Sequence, residues 1–180
     1  MSEPRGTEAD ITDPRITRTR DNAFGALREI LGTTPGEAPT FSVISRISGI
    51  ARKTLYAHWD TPARMVGDFL LAHHTAPVRS ADVATDPLMA FVTDVRDSFR
   101  DPVVSAALAH LIDAAVGDPA AADALVALSL ARAGHLAERV GGDPDPERLA
   151  ALVGPIFFTR FVLGSDMSDA ALAALVERHR

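Results

Sequence analysis

Thr40-Phe41-Ser42-Val43-Ile44-Ser45-Arg46-Ile47-Ser48-Gly49-Ile50-Ala51-Arg52-Lys53-Thr54-Leu55-Tyr56-Ala57-His58-Trp59 is the stretch whose pattern decides the fold. Phe41, Ile44 and Ile47 form one apolar stripe at helical spacing, Gly49 interrupts it, and Ile50 and Leu55 resume it after a short turn. Two short helices that cross at a large angle need a small residue where they touch, which Ser45 supplies. They also need a residue free to turn left-handed between them, which Gly49 supplies. The pattern is that of a helix-turn-helix pair with Ile44, Ile50 and Leu55 as its buried contacts. Thr40, Ser42, Arg46, Arg52, Lys53, Thr54, Tyr56 and His58 are left for the exposed faces, and they carry the donors that phosphates and base edges require.

The charge around this segment differs from that of the rest of the chain. The 180 residues carry a formal charge of -6, but residues 1–14 are net -3, residues 15–64 net +4 and residues 65–180 net -7. A basic island in an acidic chain is the electrostatic footprint of an anion-binding module, with nucleic acid the first partner to consider.

Outside the island, periodicity reads as helix throughout. Apolar residues recur at three and four spacing in Leu88, Phe91, Val92, Val95 and Phe99, and again in Leu149, Leu152, Val153, Ile156 and Phe157. Breakers divide the chain at Pro35-Gly36, Gly49, Pro62, Pro77, Pro87, Pro102, Gly117-Asp118-Pro119, the run from Gly141 to Pro146, and Gly164. Thr61-Pro62, Asp86-Pro87, Asp101-Pro102, Asp118-Pro119 and Asp145-Pro146 have the order of an N-cap followed by a first-turn proline. The expectation is an all-α fold of about nine helices behind a disordered tail over residues 1–14, with a kink near Ala151 to Pro155.

The segment 40–59 resembles the DNA-binding region of the TetR-type bacterial transcriptional regulators. Thr40-Phe41, Ile44-Ser45, Ser48-Gly49-Ile50-Ala51, Thr54-Leu55-Tyr56 and His58-Trp59 carry the likeness, and the run from Thr54 to Trp59 is its most specific part. Gly154-Pro155-Ile156-Phe157-Phe158 is similar to a segment of the last long helices in many members. The resemblance implies a helix-turn-helix DNA-binding domain over 15–61, a connecting helix over 62–77, and a helical ligand-binding and dimerisation domain over 78–180. The two last helices, about 146–163 and 168–179, have wide apolar faces that fit either a buried core or a partner, and the homodimer is expected to form through them.

Two departures stand out. Ala51 occupies the position where the family has a serine cap on the recognition helix, and Pro62-Ala63 replaces a Lys-Glu pair whose lysine commonly meets a phosphate. Thr61 remains to cap the following helix, and Arg64 lies within one turn as a substitute charge. On this reading the helix over about 51–58 enters the major groove. Arg52 and Lys53 are its main readers, Thr54 a thymine-methyl contact, and Tyr56 and His58 phosphate contacts, with Arg18 and Arg20 against the flanking backbone or minor groove. So short a helix reads a short site, and a two-fold dimer on a palindromic operator is the expected arrangement.

For the C-terminal part the candidate effector-binding residues are Phe69, Met89, Phe99, His110, Phe158 and Met167, taken as bulky or polarizable groups on helices expected to converge. Catalysis has no foothold in the motifs: His-Glu-x-x-His, Gly-x-Ser-x-Gly, a Gly-rich phosphate loop and a calcium loop are all missing, and there is no cysteine. His73 and His74, adjacent on a helix, point about 100° apart and do not readily share a metal. No metal or cofactor is expected, and the absence of an apolar run of 18 residues leads to the expectation of a cytoplasmic protein with no membrane partner. The function expected is a DNA-binding transcriptional regulator, a repressor released from its operator by a small-molecule effector. The alternative is a helical small-molecule-binding or dimerisation protein of the same fold with weak or lost DNA affinity.

Overall fold

The structure, a computed structural model, describes residues 14–33, 38–74 and 86–180. Among these it has nine helices and no strand: α1 (Pro14–Thr33), α2 (Phe41–Ser48), α3 (Arg52–His58), α4 (Pro62–His74), α5 (Pro87–Arg100), α6 (Pro102–Ala115), α7 (Pro119–Val140), α8 (Pro146–Phe161) and α9 (Asp169–Glu177). The expected all-α architecture is present, and α1 already begins at Pro14, the last residue assigned to the tail. The rest of that tail, Pro35-Gly36, the end of the connecting segment at 75–77 and residues 78–85 lie outside the described residues.

Helix starts follow the local chemistry. The carboxylates of Asp86, Asp101, Asp118 and Asp145 each accept from backbone N–H groups of the first turn, and the Thr61 hydroxyl accepts from Arg64 N at 3.1 Å. Each cap satisfies donors that would otherwise face no partner, at about 1 kcal/mol apiece, while the following proline presets the first helical φ. α8 continues through Pro155, whose carbonyl accepts from the Thr159 hydroxyl at 2.8 Å.

The helices bury one continuous apolar core. Leu27 and Ile30 of α1, Ile44 of α2, Leu55 of α3 and Met65, Val66 and Leu70 of α4 join Val92, Leu111, Leu152 and Ile156 from the later helices. α4 lies against both α6 and α7, α1 lies against α2 and α6, and α5 is surrounded by α6, α7, α8 and α9. A Cβ on Gly67 would stand 2.6 Å from the Ala124 Cβ, so α4 and α7 meet at a separation that a larger residue forbids.

The last two helices bury much of their apolar faces within the chain. Leu172, Leu175 and Val176 of α9 are buried, as are Leu149, Leu152 and Ile156 of α8, because both helices pack onto α5. A charged network fastens them there. Arg96, itself buried, donates to Asp169 and, at 3.0 Å, to Asp97, and Arg100 and Arg160 both reach Asp166.

Replacing Gly67 by Ala should push α4 and α7 apart and cost about 1–3 kcal/mol, only partly offset by the better helix propensity of alanine. Urea unfolding measures this; an unchanged or raised midpoint shows that the two helices separate freely.

Candidate nucleic-acid interface

The α2–α3 pair is built from backbone constraints first. Thr40 caps α2, its hydroxyl oxygen accepting from Val43 N at 3.3 Å. Gly49 has φ 71 and its N–H returns to the Ser45 carbonyl at 3.0 Å, the left-handed turn expected of it. Any residue with a Cβ is strained by about 1 kcal/mol or more in that conformation. Ser48 stitches the turn, donating its hydroxyl to Ile44 O at 2.7 Å and accepting from Ile50 N at 3.2 Å. The chain then enters α3 at Ala51, which offers no side-chain cap. Ile44 and Leu55 are fully buried and Ile50 is half-buried against the core.

Trp59 closes α3 and fixes it to the rest of the molecule. Its N–H returns to Leu55 O at 2.8 Å, its indole Nε1 donates to Asp68 Oδ2 at 3.0 Å, and its ring lies 5.9 Å from Phe24 of α1. Asp68 also faces Arg64 at 3.7 Å, so the first cation of α4 is already engaged by a carboxylate. Sequence reasoning missed Asp68. Its signal was an acid one turn beyond Arg64 on a helix that otherwise faces the core.

Most of the residues read as DNA contacts are exposed. Ser42, Arg46, Arg52, Lys53 and His58 are exposed, Thr54 is half-buried, and Tyr56 is 58% exposed with its ring edge-on to Phe41 at 4.8 Å. Thr61 is committed to capping α4, as Thr40 is to capping α2. On α1, Arg18 is exposed and Arg20 lies 5.1 Å over the Phe24 ring.

The two parts of the molecule differ in how their cations are used. Arg96, Arg100, Arg139, Arg160 and Arg180, all beyond α4, meet carboxylates within 4 Å. Arg18, Arg46, Arg52 and Lys53 have no carboxylate partner among the described residues. Five cations beyond α4 are thus paired with carboxylates, and four on α1–α3 are not, among the described residues.

The candidate effector residues do not gather at one point. Phe69 is buried on α4, edge-on to Phe24 at 5.5 Å. Phe99 is buried on α5 among Phe157 and Phe161, with Arg132 of α7 5.8 Å above its ring. Burial pulls the Arg132 guanidinium down to about 10, with Asp94 opposing the shift. Met89 and Met167 are half-buried against the core, and Phe158 is 51% exposed. His110 is half-buried on α6, where burial lowers its imidazole below the ordinary 6.5 against the opposing pull of Asp113. Among the described residues no three His, Asp or Glu side chains come together as a metal site, and no helix is long and apolar enough to cross a membrane.

Compared with protein-family models and with curated proteins, the chain finds no match in either.

The His110 shift has a definite sign. A histidine held below its unfolded value binds its proton more readily in the unfolded chain, so its contribution is complete above 6.5 and is lost as pH falls through that value toward the lower folded one. His110→Gln should flatten the loss of thermal stability between about pH 7 and pH 5; an acid limb identical to that of the parent protein would remove His110 from the account.

Proposed function

We propose that the chain is a ligand-responsive, sequence-specific DNA-binding regulator of the TetR type, most simply a repressor released from a palindromic operator by a small molecule. The observation that carries this reading is that Arg46, Arg52 and Lys53, on a short helical pair whose turn is held by Gly49, have no carboxylate partner among the described residues. Phosphates and guanine edges are the ligands such donors fit. In this reading α3 enters the major groove, Arg52 and Lys53 read bases, and Arg18, Ser42, Arg46, Tyr56 and His58 hold the backbone. Residues 15–61 form the DNA-binding unit, α4 connects it, and α5–α9 bind the effector.

A second copy is part of the proposal. Val126 and Leu130 on α7 and Phe158, Val162 and Leu163 at the end of α8 are each more than half exposed, and α7 packs against α8. Joined across a two-fold axis, these side chains leave water and set the spacing of two recognition helices. An effector that favours a different spacing of the two helices releases the operator.

The uncapped start of α3 at Ala51 and the engagement of Arg64 by Asp68 favour the second reading, a dimeric ligand-binding protein that has lost most of its DNA affinity. Selection of duplexes from a random pool at low salt decides between them. The regulator binds a palindrome with log K falling against log salt by several units of slope, and Lys53→Ala weakens that site by about 1–3 kcal/mol. Failure to select any duplex leaves the second reading. Phe158→Asp should convert the dimer to a monomer in sedimentation equilibrium, and a dimer that persists places the interface elsewhere.

A further inference from the structure

Between α1 and α4, on the outer side of the Phe24–Phe69 contact, lies an open cleft of about 300 Å³ lined by Asp21, Phe24, Gly25, Arg28, Phe69 and His73, among others. Its volume is at the lower bound of small-ligand sites. Its walls are aromatic. Phe24 and Phe69 meet edge to face with centroids 5.5 Å apart, and the His73 imidazole lies parallel to Phe69 at 6.1 Å. The Arg28 guanidinium is held 5.5 Å over the Phe69 ring and has no carboxylate partner among the described residues. A guanidinium resting on an aromatic face keeps its N–H edge free for a planar carboxylate.

The opening of this cleft is made by a missing side chain. A Cβ on Gly25 would meet nothing within 4 Å, and Gly25 is not among the glycines with positive φ. Neither packing nor backbone conformation calls for glycine there, and glycine inside a helix costs about 1 kcal/mol relative to alanine. What the glycine leaves is space between Asp21 and Arg28. Seven residues apart on one helix, these two stand about 10 Å apart along its axis, an anion and a cation at opposite ends of a flat apolar channel.

We propose that this cleft binds a planar aromatic monocarboxylate carrying a hydroxyl or amine at its far end. The carboxylate pairs with Arg28, the ring system lies over Gly25 against Phe24 and Phe69, and the distal group donates to Asp21. A second anionic group is disfavoured by Asp21. The site is separate from the interior of the α5–α8 bundle and stands independently of the DNA-binding reading. Should that reading hold as well, the cleft touches both Phe24, which packs on Trp59, and α4, so a ligand here bears directly on the seat of α3.

The test uses Trp59, the one tryptophan of the chain, as reporter and 6-hydroxy-2-naphthoate as probe, with no DNA present. Saturable quenching of Trp59 emission at submillimolar probe is expected. Arg28→Gln and Gly25→Leu should each raise the apparent Kd at least about tenfold, and 2-naphthol, which lacks the carboxylate, should bind at least about tenfold more weakly. Gly25→Leu is expected to keep the parent circular dichroism spectrum and melting temperature, because its side chain enters open space; if it does not, Arg28→Gln and 2-naphthol still decide. Absence of saturable quenching, or affinity unchanged by both substitutions, overturns the site. Equal binding of 2-naphthol overturns the carboxylate assignment.

Discussion

The approach of α4 to α7 at Gly67 and Ala124 is the constraint on which the remaining arrangement rests. α4 has no independent position. Along one side it is pressed against α6 and α7, and along the other its Asp68 holds the indole of Trp59 and its Phe69 meets Phe24. At its far end His73 lies 3.8 Å from Asp101, the residue that caps α6. The short helices α2 and α3 are too small to be stable alone and borrow their order from this contact and from α1. α6 and α7 are therefore linked to α3 through packed side chains of α4, Phe24 and Trp59.

Electrostatics divides the molecule along the same line. Beyond α4, Arg100, Arg160 and Arg180 serve the fold, binding the α8–α9 connection to α5 and the end of the chain after α9 to the start of α5 through Asp86. Exposed pairs of this kind contribute little individually, but the buried Arg96 has to be satisfied on every side, and Asp169, Asp97 and the Met167 carbonyl do that together. The Asp169 carboxyl is held below its ordinary range by the hydrogen bond and charge of Arg96. Among the described residues no such pairing is made by Arg18, Arg46, Arg52 or Lys53 of α1–α3.

What could be read from the sequence was what local chemistry decides. An Asp followed by Pro determines both a cap acceptor and a first helical φ within two residues, so the starts of α5, α6, α7 and α8 were legible, as was the left-handed turn at Gly49. Which face of a helix meets a neighbour depends on residues far away in the chain, and there the reading was poorer. Phe69, Phe99 and Phe158 look alike in sequence, yet two are buried against other aromatic rings and the third is half in water. The apolar residues of α9 fitted a partner or the core equally well in sequence, and they are buried where α9 packs on α5. Arg96 and Arg132 were missed because a cation within an apolar stripe is explained only by a partner from another helix; Arg96 sits between Val92 and Phe99, which was the one available hint.

The chain contains a single lysine, and it lies exposed near the start of α3. All its other side-chain cations are guanidinium or imidazole groups, which resist acylation under conditions that modify an ε-amine. Beside the α-amine, Lys53 is thus the one position where amine chemistry can erase a charge, and it does so within the basic segment while leaving every ion pair of the body intact. A single acyl group takes one unit from an excess of four. The outer face of α3 is, in this sense, chemically addressable apart from the rest of the protein.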